Sequence, residues 1–314
     1  MSTIYFFNVK NGDCSWIRHD SGRETVIDVC SGNLSTDEQS ASLNEAFAKG
    51  NYHQKNHAVN PISYMECKKT NHDIFRFILT HPDMDHMDGL ENLFETFDVQ
   101  NFWDSDNEKE MDDGDWGEYR KEDWEYYQKI RKSEKNPCIL RLLSGASSDY
   151  YRQDGFTILA PTQELVDSAN ETGDYNCLSY VLLLKDRGRK IIFGGDSGKE
   201  VWDYILDEYS DEVSDVDILF APHHGRKTGG NDDYLDVLQP KLTLFGNAPS
   251  EYLDYDSWNN RNLLHYTNNQ GGTFILKVEN TGIQVYCTNE KFAKAENPYA
   301  SYDSVMDAWT LTRV

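Results

Sequence analysis

Residues 77–89 read FILTHPDMDHMDG, an apolar run that stops at a cluster of His81, Asp83, Asp85 and His86. Four potential metal ligands fall within six residues, where a buried strand meets a loop, and packing alone gives no reason for them. Alternation along an extended loop points His81, Asp83 and Asp85 the same way, and His86 adds an imidazole beside them. Two imidazoles and two carboxylates suit a divalent ion such as zinc or manganese. The plainer reading is a solvated loop capping the helix that starts near Asp88.

Three other segments offer the missing parts. Gly194, Gly195 and Asp196 follow the apolar run Ile191–Phe193. The glycines let the backbone approach another group closely, and a carboxylate there has two oxygens with which to bridge two ions. Pro222, His223, His224 and Gly225 follow Ile218–Phe220, so one imidazole can ligate while the other faces a substrate. Arg226 and Lys227 come next and suggest a phosphate-holding corner. Asn176 precedes the strand that begins at Tyr180; it can ligate weakly, hydrogen-bond a substrate oxygen or cap a loop. Each segment alone also reads as an ordinary turn, a structural histidine or surface charge.

The elements that must position these groups are legible as short apolar runs. Ile4–Val9 and Ser15–Arg18 read as a hairpin about Asn11 and Gly12. Glu24–Val29 and Ile74–Leu79 are the next strands, the second feeding the His/Asp loop. Helical spacing is expected over Gly89–Phe97, Trp116–Arg131, Lys199–Glu208 and Tyr234–Leu238. Further strands are expected at Phe156–Leu159, Tyr180–Leu184, Lys190–Phe193, Ile218–Phe220 and Leu242–Phe245, with a hairpin at Phe274–Val278 and Ile283–Tyr286. Strands in both halves with helices between them favour a layered α/β fold in one domain over 1–314. Residues 33–72, with helix-like spacing at Ser42–Ala48, and 100–150 read as insertions, and the tail from about 290 is unassigned.

Composition bounds the rest. The chain has 314 residues, 38% hydrophobic, and a formal net charge of −24. No apolar stretch approaches the roughly 18 residues of a transmembrane helix, and Met1–Phe7 lacks the pattern of a signal peptide. Six scattered cysteines without a Cys-x-x-Cys pair read as reduced thiols of a cytoplasmic protein. The negative charge argues against a broad phosphate-binding surface, though not against a nucleic-acid substrate held by metal ions and local cations. Much of it sits in 104–123, read as a solvated helix face or a docking site for a basic protein partner.

The ordered set of motifs resembles the metallo-β-lactamase superfamily, and within it the soluble hydrolase domain of ComEC-type competence proteins. The residues that carry the likeness are Val9–Asp13, Ile27–Gly32, Thr80–Gly89, Asn176 with Ser179, Gly195 with Asp196, Pro222–Gly225, and Tyr266–Thr267 with Gly271–Thr273. The resemblance implies a four-layer αββα sandwich with a metal site along one edge. It assigns His81 and Asp83 to one metal position and Asp85 and His86 to the other. Asp196 bridges them, and His223 is the expected last ligand, with His224 facing the substrate; the two histidines are interchangeable at this stage. Asp83 and Asn176 stand where many members carry histidine, which makes the first position harder and poorer in nitrogen. One or two divalent ions, manganese or zinc with magnesium as a further option, are therefore the expected cofactors. The expected activity is hydrolysis of a phosphodiester, DNA or a nucleotide-type substrate. Asp85 would orient the attacking water, His224 would protonate the leaving oxygen, and Asn176, Arg226 and Lys227 would hold the substrate. A small cyclic nucleotide, a carboxylic ester or lactone, and a non-catalytic binding module are the alternatives.

Overall fold

The computed structural model describes residues 1–35, 52–112, 114, 116–227 and 232–314, so the expected helical turn at 42–48 lies outside the described residues. Among these, ten strands form one sheet and six another. In the first, β1 (Thr3–Phe6), β2 (Ser15–Arg18) and β3 (Glu24–Ile27) run antiparallel, and β4 (Asp73–Ile78), β5 (Asp98–Trp103) and β6 (Cys138–Leu140) continue parallel to β3. On the other side of β1 lie β13 (Phe274–Glu279), β14 (Gly282–Cys287), β16 (Ala308–Arg313) and β15 (Tyr302–Asp303). The second sheet is ordered β12 (His265–Thr267), β11 (Leu242–Phe245), β10 (Ile218–Phe220), β9 (Arg189–Phe193), β8 (Val181–Asp186) and β7 (Phe156–Ala160).

Strand periodicity decides which face each side chain joins. Ile4 and Phe6 point between the sheets with Ile17, Ile27 and Ile78, against Leu182, Ile191, Phe193 and Phe220 of the second sheet. Phe6 meets Phe220 edge-on with ring centroids 4.9 Å apart. Tyr5, Trp16, Val26 and Phe77 point the other way, onto helices that carry Ile62, Met65, Leu90, Leu93 and Tyr127. Leu183, Ile192, Leu219 and Phe245 face the helices that carry Val201, Trp202, Ile205 and Trp258. The result is an αββα sandwich, as expected. Both faces of each sheet are covered, which is why so many strands read as continuous apolar runs.

The segments read as peripheral build part of this frame. Within 33–72, the helix Pro61–Lys68 starts from Asn60, whose side chain accepts from the Ile62 and Ser63 amides. It buries Ile62 and Met65 in the core. The span 100–150 supplies most of β5 and all of β6, and the tail supplies the helix Glu290–Glu296 and the strands β15 and β16. The helix expected over Trp116–Arg131 is confined to Lys121–Ile130. The described residues of the acidic stretch before it form no helix or strand, and Asp104 turns inward to Tyr127 and Arg131. No helix among the described residues is long and apolar enough to cross a membrane.

Far from the strand ends that carry the motifs, Arg76 is fully buried and pairs with Asp154, Nη2 to Oδ2 at 2.5 Å. Asp154 also accepts from Arg23 and Ser21.

Candidate metal centre

The motifs that supply the cluster leave the carboxyl ends of strands at one edge of the sandwich. β3 delivers Asp28, β4 delivers the loop 80–89, β9 delivers Asp196 and β10 delivers the two histidines. The turn after β1 brings Asp13 to the same end. Open α/β sheets place ligand sites outside the carboxyl ends of their strands for this geometric reason. The close approach needs glycine: a Cβ at Gly12, φ +123°, would lie 2.1 Å from the Asp85 carbonyl oxygen. A Cβ at Gly246, after β11, would lie 2.4 Å from Asp13 Oδ1. Three non-glycine residues of the site adopt left-handed backbone: Asp28 (φ +55°), His223 (φ +52°) and His224 (φ +58°). Such strain is found where side-chain direction matters more than backbone ease.

One ligand atom from each of Asp85, His86, Asp196 and His224 lies within 4.8 Å of all the others. His86 Nε2 is 3.3 Å from Asp196 Oδ1, and His224 Nε2 is 3.5 Å from both Asp85 Oδ2 and Asp196 Oδ2. His224, not His223, therefore completes this set. His223 sits beside it, 24% exposed, with Nε2 3.7 Å from Asp196 Oδ2 and 3.5 Å from Arg226 Nη1. His81 Nε2 lies 3.7 Å from Asp83 Oδ2 and 3.8 Å from Asp196 Oδ2. Asp196 thus lies beside an imidazole of each half of the cluster.

The donor set fits a divalent cation. Nε2 of His81, His86 and His224 and Oδ1 of Asp196 are buried without a hydrogen-bond partner among the described residues. Buried polar atoms are otherwise paired almost without exception, and one ion would satisfy several of these at once. The second contacts of the imidazoles also fit. His86 Nδ1 donates to Asp28 Oδ2 at 2.8 Å, which turns Nε2 toward the cluster. Asp28 is itself fixed by the amide and hydroxyl of Thr80. His224 Nδ1 faces Asp13 Oδ2 at 3.2 Å.

Without an ion, the cluster neutralises itself. Burial opposes a charged His224, but Asp196 and Asp13 outweigh it and push the imidazole up to about 10. His86 is likewise raised, with Asp196, Asp28 and Asp85 overcoming its burial. Asp196 and Asp85 are held low against their own burial by these imidazoles. His223 goes the other way, lowered by burial and by its cationic neighbours. This favours the neutral imidazole, whose Nε2 faces the Arg226 guanidinium.

Of the expected substrate groups, Arg226 reaches the cluster edge through His223 and stacks over Tyr252. Lys227 is exposed, and its amide donates to Tyr252. Asn176 lies in the short turn Tyr175–Leu178 ahead of β8. Its neighbour Ser179 accepts from the Asp196 amide at 3.2 Å and so helps fix that carboxylate. Sequence reasoning missed three groups. Asp13 and Asp28 lay within noted motifs, and a carboxylate after an apolar strand, the signal used for Asp196, also marks Asp28. Lys109 pairs with Asp83, Nζ to Oδ1 at 2.5 Å, and its acidic surroundings in sequence hid it.

No protein-family model and no curated protein matches the chain. Similar solved structures include a diphosphatase of the PhnP family, with a TM-score of 0.41 at 11% identity over 88% of this chain and 97% of that one. Zinc-bound PqqB from Methylobacterium extorquens has a TM-score of 0.47 at 11% identity over 88% and 100%. The Rm3 metallo-β-lactamase has 0.35 at 11% identity over 71% and 76%.

Proposed function

We propose that this protein is a metal-dependent hydrolase of phosphodiester bonds. The observation that carries the reading is the convergence of Asp85, His86, Asp196 and His224, whose buried inward atoms include three left without hydrogen-bond partners. A divalent ion held there supplies water activation and polarisation of a phosphoryl oxygen. The chain's own residues do the rest. Asp28 and Asp13 orient the imidazoles of His86 and His224. Neutral His223, at the exposed side of the cluster, can take the proton released by the attacking water and hand it to the departing oxygen, the proton-donating role first expected of His224. Arg226 beside it offers a guanidinium to a phosphoryl oxygen, as a charge-assisted contact.

The motifs shared with ComEC-type hydrolase domains support DNA as the substrate. A second reading, a nucleotide-sized phosphodiester, is favoured by the net charge of −24, which repels a long polyanion.

The test is metal-stripped protein titrated with manganese, zinc and magnesium and assayed on single-stranded DNA and on a small chromogenic phosphodiester. Metal-dependent cleavage that disappears in Asp85→Ala and Asp196→Ala is expected. Full activity in the double variant would sink the mechanism. Turnover of the small ester alone would select the second reading.

A further inference from the structure

The two halves of the cluster differ in charge. Around Asp85, His86 and His224 stand Asp13, Asp28 and Asp196, and no lysine or arginine of the described residues forms an ion pair with any of these three carboxylates or with Asp85. Around His81, Asp83 and His223 stand two cations. Lys109 holds Asp83 from one side, and Arg226 lies against His223 on the other.

Lys109 is placed there by structure. Its amide donates to Asn107 Oδ1 at 3.2 Å, and Asn107 is buried and bonded to Ser105 and Tyr127. The amide of Glu108 donates to Asn170 Oδ1, and Asn170 returns a bond to the Asp106 carbonyl. These contacts tie the backbone on both sides of Glu108 to the body of the sandwich. The Lys109 ammonium then lies over the Tyr175 ring, 5.4 Å from its centroid, with only 18% of its side chain exposed.

We infer that the Lys109 ammonium takes the place of a second metal ion. The inference rests on the reading that the site holds a divalent metal. One ion binds among Asp85, His86, Asp196 and His224. At the position of His81 and Asp83 a built-in cation already holds Asp83 and supplies positive charge there. Asp83 spends one oxygen on Lys109, so it can ligate an ion only by giving up that pair. A divalent ion entering between Lys109 and Arg226 would also meet like charge on two sides.

The experiment is metal content per chain, measured by mass spectrometry and calorimetric titration with manganese and with zinc. One ion per chain is expected for the unmodified protein and for Lys109→Arg, which keeps the cation. Two are expected for Lys109→Ala, with the second lost again on adding Asp83→Ala. Two ions in the unmodified protein would overturn the inference while leaving the metal-dependent reading intact, and that result needs no variant to fold. A single ion in a folded Lys109→Ala would overturn it too. No ion in any of them would overturn the metal-dependent reading itself, and this inference with it.

Discussion

The carboxylate of Asp28 accepts from His86 Nδ1 at 2.8 Å and from the Thr80 hydroxyl at 2.8 Å, so one buried residue aims an imidazole and locks the loop that carries it. Such outer carboxylates fix the tautomer of a ligating histidine. Asp28→Asn should weaken metal binding by roughly 10- to 100-fold. Competition against a chromophoric chelator measures this. An unchanged affinity would show that His86 needs no partner.

The two adjacent histidines should separate cleanly. His224→Ala removes a member of the four-group set and should abolish tight metal binding. His223→Ala should keep the ion and lose turnover, because that imidazole lies at the exposed side of the cluster. Calorimetry on both variants, set beside their rates, makes the comparison. Equal loss of metal in the two would reassign the ligand.

The raised imidazoles set opposite pH trends for the empty and the loaded protein. The folded value of His224 is about 10, above the roughly 6.5 of an unfolded histidine. Its contribution to the stability of the metal-free protein is therefore full below about 6.5 and lost as pH rises through about 10. Metal must displace that proton and the one on His86, so apparent affinity should rise with pH, about tenfold per unit for each proton released. Titrations between pH 6 and 9 would show this, and a flat profile would mean that the imidazoles are already neutral.

The loop carrying Asp85 was readable because each part of it obeys a local rule: an apolar strand, a sudden end, and ligating residues packed into a few positions. The same logic placed Asp196 and the histidine pair at strand ends. It failed wherever the deciding contact is remote. The histidine that turns inward, His224, faces Asp13, more than 200 residues away in the chain. β5 and β6 look like parts of a charged insertion until their pairing with β4 is seen. Lys109 carries no local signal, because its meaning comes from Asp83 across space.

Gly12 should tolerate no side chain. Gly12→Ala would drive a Cβ into the Asp85 carbonyl oxygen, at a backbone angle that alanine avoids. A loss of about 2 kcal/mol or more is expected, together with weaker metal binding, because the clash falls on the ligand loop. Denaturant unfolding and metal titration of the same sample check both, and a stable variant with full affinity would refute the close approach.

At the far end of the sandwich, Asp154→Ala leaves Arg76 buried with its charge unpaired. Breaking a buried pair in this way costs about 3–5 kcal/mol. The chemical denaturation midpoint should fall while metal affinity in the folded protein stays the same, since the pair lies away from the cluster. A loss of affinity equal to the loss of stability would tie the two ends together.

The pairing of β1 with β13, which sets Ile4 opposite Leu276, bears on how the molecule is made. A ribosome adds roughly 5–20 residues per second, so the first strand waits on the order of tens of seconds for its neighbour. During that interval Ile4, Tyr5, Phe6 and Phe7 form a sticky apolar stripe that holding chaperones are suited to cover. The donor set is also incomplete until the loop bearing His224 has emerged. An ion can therefore fasten the nascent protein only late in synthesis, and a cell starved of metal would see its effect in the yield of mature chains as well as in their turnover.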